Sequence, residues 1–315
     1  MMSQKGSSST SAVASHLISP EVGDSAASTL ALPSAAFVNL SALIPATNKW
    51  QYPGATRLAN RMAAKVRQCI QADTECYIHV CGIKEDVIES IDRAFKTVRI
   101  RSTVRFTYEQ DLEALIIKCT ISYAHDSTSR SFLIELSSAV ASIPGHTRFS
   151  ILPIGSQTFS SPGKRSKEGD EGIKPTNTRA HEAEWPSVMI EVGYSETLGY
   201  LHQDAHWWLE NSKGRTRMVI IIQISKAPKS IRIELWEMIL NVNQPGTRSR
   251  PNKSPGFRYF YVIDRTCRVT HKARHPDLVI PYGTIFDTGL DAGTDITISN
   301  AQLSAWALYV FLGLP

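Results

Sequence analysis

The sequence predicts an α/β protein: a central mixed β-sheet flanked by helices, behind a disordered N-terminal tail. Three observations predict it. Apolar runs of strand length alternate along the chain with amphipathic runs of helical length. The stretch from Trp185 to Glu196, WPSVMIEVGYSE, reads as a buried strand carrying one acidic residue, Glu191. Residues 1–45 are rich in Ser, Ala and Thr with no hydrophobic period, so burial cannot offset the entropy of ordering them.

Taken in order, residues 46–103 read as a helical lead-in, with RLANRMAAKVRQCIQA from Arg57 to Ala72 and a shorter amphipathic segment from Glu85 to Phe95. Residues 104–315 read as the main domain with a C-terminal extension. It opens on the alternating Val104–Tyr108 and the apolar run Leu115–Tyr123. A helix follows, capped between Ser127 and Ser129, with Phe132, Leu133, Leu136 and Val140 on one face. Next come a short strand, Phe149–Ile154, a polar segment, Ser160–Asn177, and the Glu191 strand. Ser195 can cap the next helix, whose stripe is Leu198, Leu201, Ala205, Trp208 and Leu209, ending at Asn211–Gly214. Strand-like segments Thr216–Ile224, Ile231–Trp236 and Phe257–Ile263 lead to a final helix near Asn300.

Composition narrows the function classes. At 315 residues with 42% apolar content, the chain can bury an ordinary core. Its 34 basic and 29 acidic residues leave a net charge of +5, which permits contact with DNA or RNA without demanding it. The five cysteines form no C-x-x-C pair, and the first residues lack the apolar core of a secretory signal, so an intracellular, cytoplasmic or nuclear, location is expected. No apolar run reaches the roughly 18–20 residues of a membrane span. The P-loop, the G-x-S-x-G elbow and the dinucleotide glycine fingerprint are missing from the sequence.

The chemistry centres on Glu191. An ionised carboxylate in a low-dielectric core is costly unless it is paired, hydrogen-bonded or facing a metal. Asp170 precedes it by 21 residues, so neighbouring strands can bring the two together. Mg²⁺, or Mn²⁺, accepts one or two carboxylates with water and phosphate oxygens completing its shell. The alternative for Asp170 is a loop aspartate among other charges.

The series Leu115-Ile116-Ile117-Lys118, His125-Asp126, Gly155-Ser156-Gln157-Thr158, Ser166-Lys167-Glu168-Gly169-Asp170 and Pro186–Glu196 resembles the PD-(D/E)XK superfamily of restriction-endonuclease-like proteins. In particular it is similar to fungal-type restriction-endonuclease-like proteins that combine Lys-Glu-Pro-Asp with a later Ile-Glu-Val-Gly-x-Ser-Glu. The resemblance spans roughly residues 104–240. It implies a central mixed sheet with a metal at its edge, Mg²⁺-dependent endonuclease chemistry, and Asp170 and Glu191 as the metal-binding carboxylates. It also implies a catalytic position at the first helix, where relatives place an acidic residue and this chain has His125 or Asp126.

The match has two departures. Gly169 stands where relatives carry proline, and Gly193 stands at the lysine position. That lysine orients the attacking water and compensates phosphate charge. The helix position to which relatives move it holds Asp204, leaving Lys174 and Lys167 as substitutes.

Arg248, Arg250 and Lys253, near Arg258, form a basic stretch able to contact phosphates or simply to stay solvated. His202 and His206 have helical i, i+4 spacing but no H-E-x-x-H context, and Cys76, His79 and Cys81 lie in an apolar run, so packing is expected for both sets. Trp207 and Trp208 point to different helix faces, which leaves one for a protein partner or a homodimer. Three functions stay open: a metal-dependent nuclease, a nuclease fold without catalysis that binds nucleic acid or protein, and a scaffold.

Overall fold

The chain is seen in a computed structural model that describes residues 33–120, 123–161, 165–194, 198–241, 246–247, 251–288 and 293–314. Its order is α1 (Ala35–Leu43), β1 (Lys49–Gln51), α2 (Ala55–Ala72), β2 (Cys76–Cys81), α3 (Ile88–Thr97), β3 (Val104–Glu109), β4 (Ala114–Cys119) and α4 (Tyr123–Ala141). Then follow β5 (Ile151–Pro153), β6 (Thr158–Ser161), β7 (Arg165–Glu168), β8 (Glu171–Pro175), β9 (Val188–Tyr194) and α5 (Leu198–Asn211). The remainder is β10 (Met218–Lys226), β11 (Lys229–Leu240), β12 (Lys253–Asp264), β13 (Val269–Lys272), β14 (Leu278–Ile280), α6 (Tyr282–Ile285), β15 (Ile296–Ile298) and α7 (Asn300–Leu312).

The fold is mixed α/β, with two large mixed sheets where one was expected. A seven-stranded sheet runs β13-β12-β11-β10-β9-β8-β5, and only β9 and β10 pair in parallel within it. Parallel neighbours need a long crossover, which α5 supplies. Alternation along β9 sends Val188, Ile190 and Val192 toward Phe132, Leu136 and Val140 of α4 and Trp306 of α7. Met189 points the other way, into Leu201, Ala205 and Trp208 of α5. Glu191 shares the Met189 face by the same period.

A six-stranded sheet runs β1-β2-β4-β3-β7-β6. Its Ile78, Val80, Leu115 and Ile117 pack beneath α2 and α3, while Tyr77, Ala114 and Ile116 meet Phe37, Leu40 and Ile44 on the opposite face.

Three expectations are corrected, and one segment whose structure was left open is filled in. Within the segment expected to be a disordered tail, residues 35–43 form α1, because Ala36, Phe37 and Leu40 fall on one helical face and are buried. The helical lead-in is not separate, since β1 and β2 are strands of the six-stranded sheet. The polar segment Ser160–Asn177 contains β7 and β8. The helix expected to begin at Ser127–Ser129 begins at Tyr123, and the hydroxyls of Ser127 and Ser129 donate back to the carbonyls of Ala124 and Asp126. The Ser195 cap lies outside the described residues.

Candidate functional site: a buried carboxylate and lysine centre

Register places the functional side chains. In the six-stranded sheet Lys118 pairs with Tyr77 on one side and Arg105 on the other, and Thr107 pairs with Lys167. Cross-strand partners share a face, so Arg105, Lys118 and Lys167 rise together from one side of that sheet. In the seven-stranded sheet Glu171 pairs with Ile190, which sets Asp170 beside Glu191.

The two faces meet at a cluster of charges. Lys118 Nζ lies 3.0 Å from Asp170 Oδ2 and 3.9 Å from Glu191 Oε2. It also donates to the Val192 carbonyl at 2.9 Å. Lys167 Nζ lies 3.9 Å from Glu191 Oε1 and 2.6 Å from Asp204 Oδ1, and Tyr77 donates to Asp204 Oδ2 at 3.2 Å. His125 Nε2 is 3.0 Å from Asp170 Oδ2 and 4.0 Å from Glu75 Oε1. The amide of Val192 also donates to Asp170 Oδ2, and Trp208 Nε1 donates to Glu191 Oε1 at 2.5 Å. The side chains of Asp170 and Glu191 are each 1% exposed, so the network is internal.

Protonation differs across it. Burial pushes Glu191 up to about 8; Lys167 opposes the shift and the charge of Asp170 adds to it. Burial also acts on Asp170, but His125 and Lys118 outweigh it and hold Asp170 well below the usual carboxylate range. Burial disfavours the charged imidazole of His125, yet Asp170 and Glu75 raise it to about 10. At neutral pH the centre therefore holds a charged Asp170, a charged His125 and a protonated Glu191.

The structure brings Asp170, Glu191 and His125 together and leaves other candidates elsewhere. Asp126 is half exposed, beside His125 at 3.4 Å, at the rim. Lys174 is corrected: it is buried but donates to the carbonyls of His181, Glu182 and Glu184, clasping the loop before β9. Lys253 lies exposed at the start of β12, three strands from β9, and Arg248 and Arg250 fall outside the described residues. His202 and His206 go to Glu234 and Glu210 separately. Trp207 is buried beside Trp185 and Trp208, which removes the exposed-aromatic argument for a partner surface.

Three participants escaped the sequence argument. Lys118 carried the same signal as Glu191, a lone charge inside the apolar run Ala114–Cys119. Trp208 was read as core, yet its indole N–H serves Glu191. Glu75 gave no signal, because it sits in a polar turn; its Oε2 accepts from the Tyr194 amide at 2.8 Å.

Gly169 now has a reason. A Cβ there would lie 2.2 Å from Met189 Cε, 3.0 Å from Trp208 Cζ2 and 3.6 Å from Glu191 Oε1. Glycine lets Met189 and Trp208 close over Glu191. Its carbonyl accepts from Arg105 Nε at 3.2 Å, and that same Nε stands 3.7 Å from Asp170 Oδ1. Arg105 also lines a surface depression with Lys96, Arg99 and Arg101, tempered by Asp92.

A hard cation has one well-suited oxygen here: Asp170 Oδ1 is buried without a hydrogen-bond partner. Glu191 supplies a second carboxylate. Among the described residues no three His, Cys, Asp or Glu side chains form a metal-binding group alone, but Mg²⁺ takes one or two carboxylates and draws the rest from water and phosphate. Holding such an ion would take the open Asp170 Oδ1 and a Glu191 that has given up its proton. No protein-family model matches the chain, and no curated protein matches it.

Proposed function

We propose that the chain is a PD-(D/E)XK-like nuclease that hydrolyses phosphodiester bonds in nucleic acid with a divalent cation held by Asp170 and Glu191. One observation carries this reading. The carboxylate of Asp170, just before β8, and that of Glu191, on the neighbouring β9, share a single ammonium, Lys118, at 3.0 and 3.9 Å. In this reading Lys118, reaching the carboxylates from another sheet, takes over the role for which Gly193 has no side chain. The mixed seven-stranded sheet with α4 and α7 on one face and α5 on the other supports the restriction-endonuclease-like core that the motifs imply.

When bound, Mg²⁺ or Mn²⁺ polarises a phosphate oxygen and lowers the pKa of water. The chain's own groups divide the remaining work. The Lys118 ammonium orients a water and compensates charge building on the phosphorus centre. His125 and the Val192 amide fix Asp170 Oδ2, leaving Oδ1 for the ion. Trp208 holds Glu191 in place and excludes water from its far side. The depression formed by Lys96, Arg99, Arg101 and Arg105 receives the flanking backbone phosphates.

The reading predicts cleavage of plasmid or single-stranded substrate that needs Mg²⁺ or Mn²⁺ and falls at least a hundredfold in Asp170→Asn and in Lys118→Met. Cleavage untouched by either substitution would overturn it. The internal pairing of the centre favours a second reading, a nuclease fold that has lost catalysis and binds nucleic acid through its basic depression. That reading expects salt-sensitive, magnesium-indifferent binding without cleavage.

A further inference from the structure

Behind the carboxylate centre, on the opposite side of the same strands, three cysteines converge. Cys69 ends the buried face of α2, Cys76 opens β2 and Cys119 closes β4. Cys76 and Cys119 are direct cross-strand partners. The turn between α2 and β2 is tight: Asp73 is left-handed, and the Thr74 amide donates to the Cys69 carbonyl at 3.1 Å. It brings Cys69 Sγ to 3.1 Å from Cys76 Sγ. Cys69 and Cys119 are buried, and Cys76 is half-buried at the outer side of the cluster.

We propose that Cys69 and Cys76 are a reversible oxidation site that forms an intramolecular disulfide on reaction with a peroxide, with Cys119 as an adjoining thiol. This inference does not depend on the nuclease reading. The thiolate is the reacting form of a cysteine; hydrogen bonds from Cys119 and Cys76 pull the Cys69 thiol below its ordinary value, while the contact with Cys69 and burial push Cys76 up. The same contacts with Cys69 and Cys76, together with burial, push Cys119 above its ordinary value, so of the three thiols Cys69 is the one favoured to lose its proton.

The chemistry balances. The Cys69 thiolate attacks one oxygen of hydrogen peroxide, the O–O bond breaks, and the departing hydroxide takes a proton and leaves as water. Cys69 is then a sulfenic acid. The sulfur of Cys76, giving up its proton, attacks the Cys69 sulfur; the S–O bond breaks and the oxygen departs as a second water. Two thiols have lost two electrons to one peroxide.

The position gives the bond a consequence. Cys76 follows Glu75, and Cys119 follows Lys118. Alternation along the strand puts the thiols on one face and the charged residues on the other. A bond between Cys69 and Cys76 ties the turn that carries Glu75, whose carboxylate accepts from the Tyr194 amide and faces His125.

The test uses the full chain, treated with hydrogen peroxide, then unfolded and alkylated, with intact mass and peptide mapping as readouts. The reduced protein has five alkylatable cysteines. The oxidised protein is expected to take up two fewer alkyl groups, to map a Cys69–Cys76 crosslink and to regain both sites with dithiothreitol. The Cys81→Ser/Cys267→Ser variant, altered only outside the cluster, is expected to behave identically. Full alkylation after peroxide, a crosslink located elsewhere, or loss of the effect in that variant would overturn the proposal.

Discussion

Asp170 and Glu191 lie at the same depth, yet one is charged and the other protonated, because Asp170 has the nearer cations. Lys118 and His125 both stand 3.0 Å from Asp170, whereas the nearest ammonium groups to Glu191 are 3.9 Å away. The substitutions Asp170→Asn and Glu191→Gln should therefore act in opposite directions on stability. Asp170→Asn leaves buried cations without their partner and costs about 3–5 kcal/mol. Glu191→Gln keeps an acceptor for Trp208 and removes a group that must hold a proton against its solution preference. It should be more stable than the parent at pH 8. Urea unfolding at that pH checks both.

The same groups set the pH profile of the metal-free protein. Glu191 is raised from 4.5 to about 8, and His125 from 6.5 to about 10, so both folded values exceed the unfolded ones. Between pH 6.5 and 8 the folded state retains two protons that the unfolded state has released. Stability therefore falls as pH rises through that window, and Glu191→Gln should flatten the decline by about 1.4 kcal/mol per pH unit. Asp170 works the other way at low pH: its contribution is present above its unfolded value of 3.8 and is lost as the solution becomes more acidic. A profile that rises from pH 6.5 to 8 would contradict these assignments.

At the scale of elements, α1 is the test of what composition conceals. Its Phe37, Leu40 and the following Ile44 pack against Tyr77, Ala114 and Ile116, and the Ser34 amide donates to Glu109 at 3.0 Å. Phe37→Ala should cost about 3–5 kcal/mol, measured by denaturant unfolding, whereas a tail would show no change. α1 is apolar nearly all round, with Val38 and Leu43 exposed while Phe37 and Leu40 are buried, so no amphipathic period sets it apart from the Ala- and Ser-rich stretch before it. β7 and β8 were hidden for a different reason. Their charges look solvent-facing in sequence, yet Lys167 meets Asp204, Glu168 meets Arg101 and the Phe106 amide, and Glu171 accepts from the Gly155 amide. Those partners are remote in sequence, so no local pattern announces them. By contrast α2 and α5 were legible through a local helical period, β9 and β10 through long apolar runs, and α7 through Leu303, Trp306, Ala307 and Val310 at helical spacing. The pair Asp170 and Glu191 was legible through one misplaced charge and a motif order. Lys118 had the same signature and was passed over because the motif placed its lysine elsewhere.

At the scale of the whole molecule, the centre exists only where two sheets face each other. The seven-stranded sheet brings Glu191, with Asp170 just before β8, and the six-stranded sheet brings Lys118 and Lys167. α4 adds His125, α5 adds Asp204 and Trp208, and the turn before β2 adds Glu75. A boundary at residue 104 would therefore cut through the architecture of the site. The most direct measurement is a calorimetric Mn²⁺ titration of the full chain, with cleavage of plasmid and single-stranded substrate followed on the same samples, for the parent, Glu191→Gln and Lys118→Met. The account predicts one bound ion and cleavage in the parent, loss of both in Glu191→Gln, and ion binding without cleavage in Lys118→Met. A parent protein that binds no ion and cuts neither substrate, or cleavage that survives both substitutions, would contradict it.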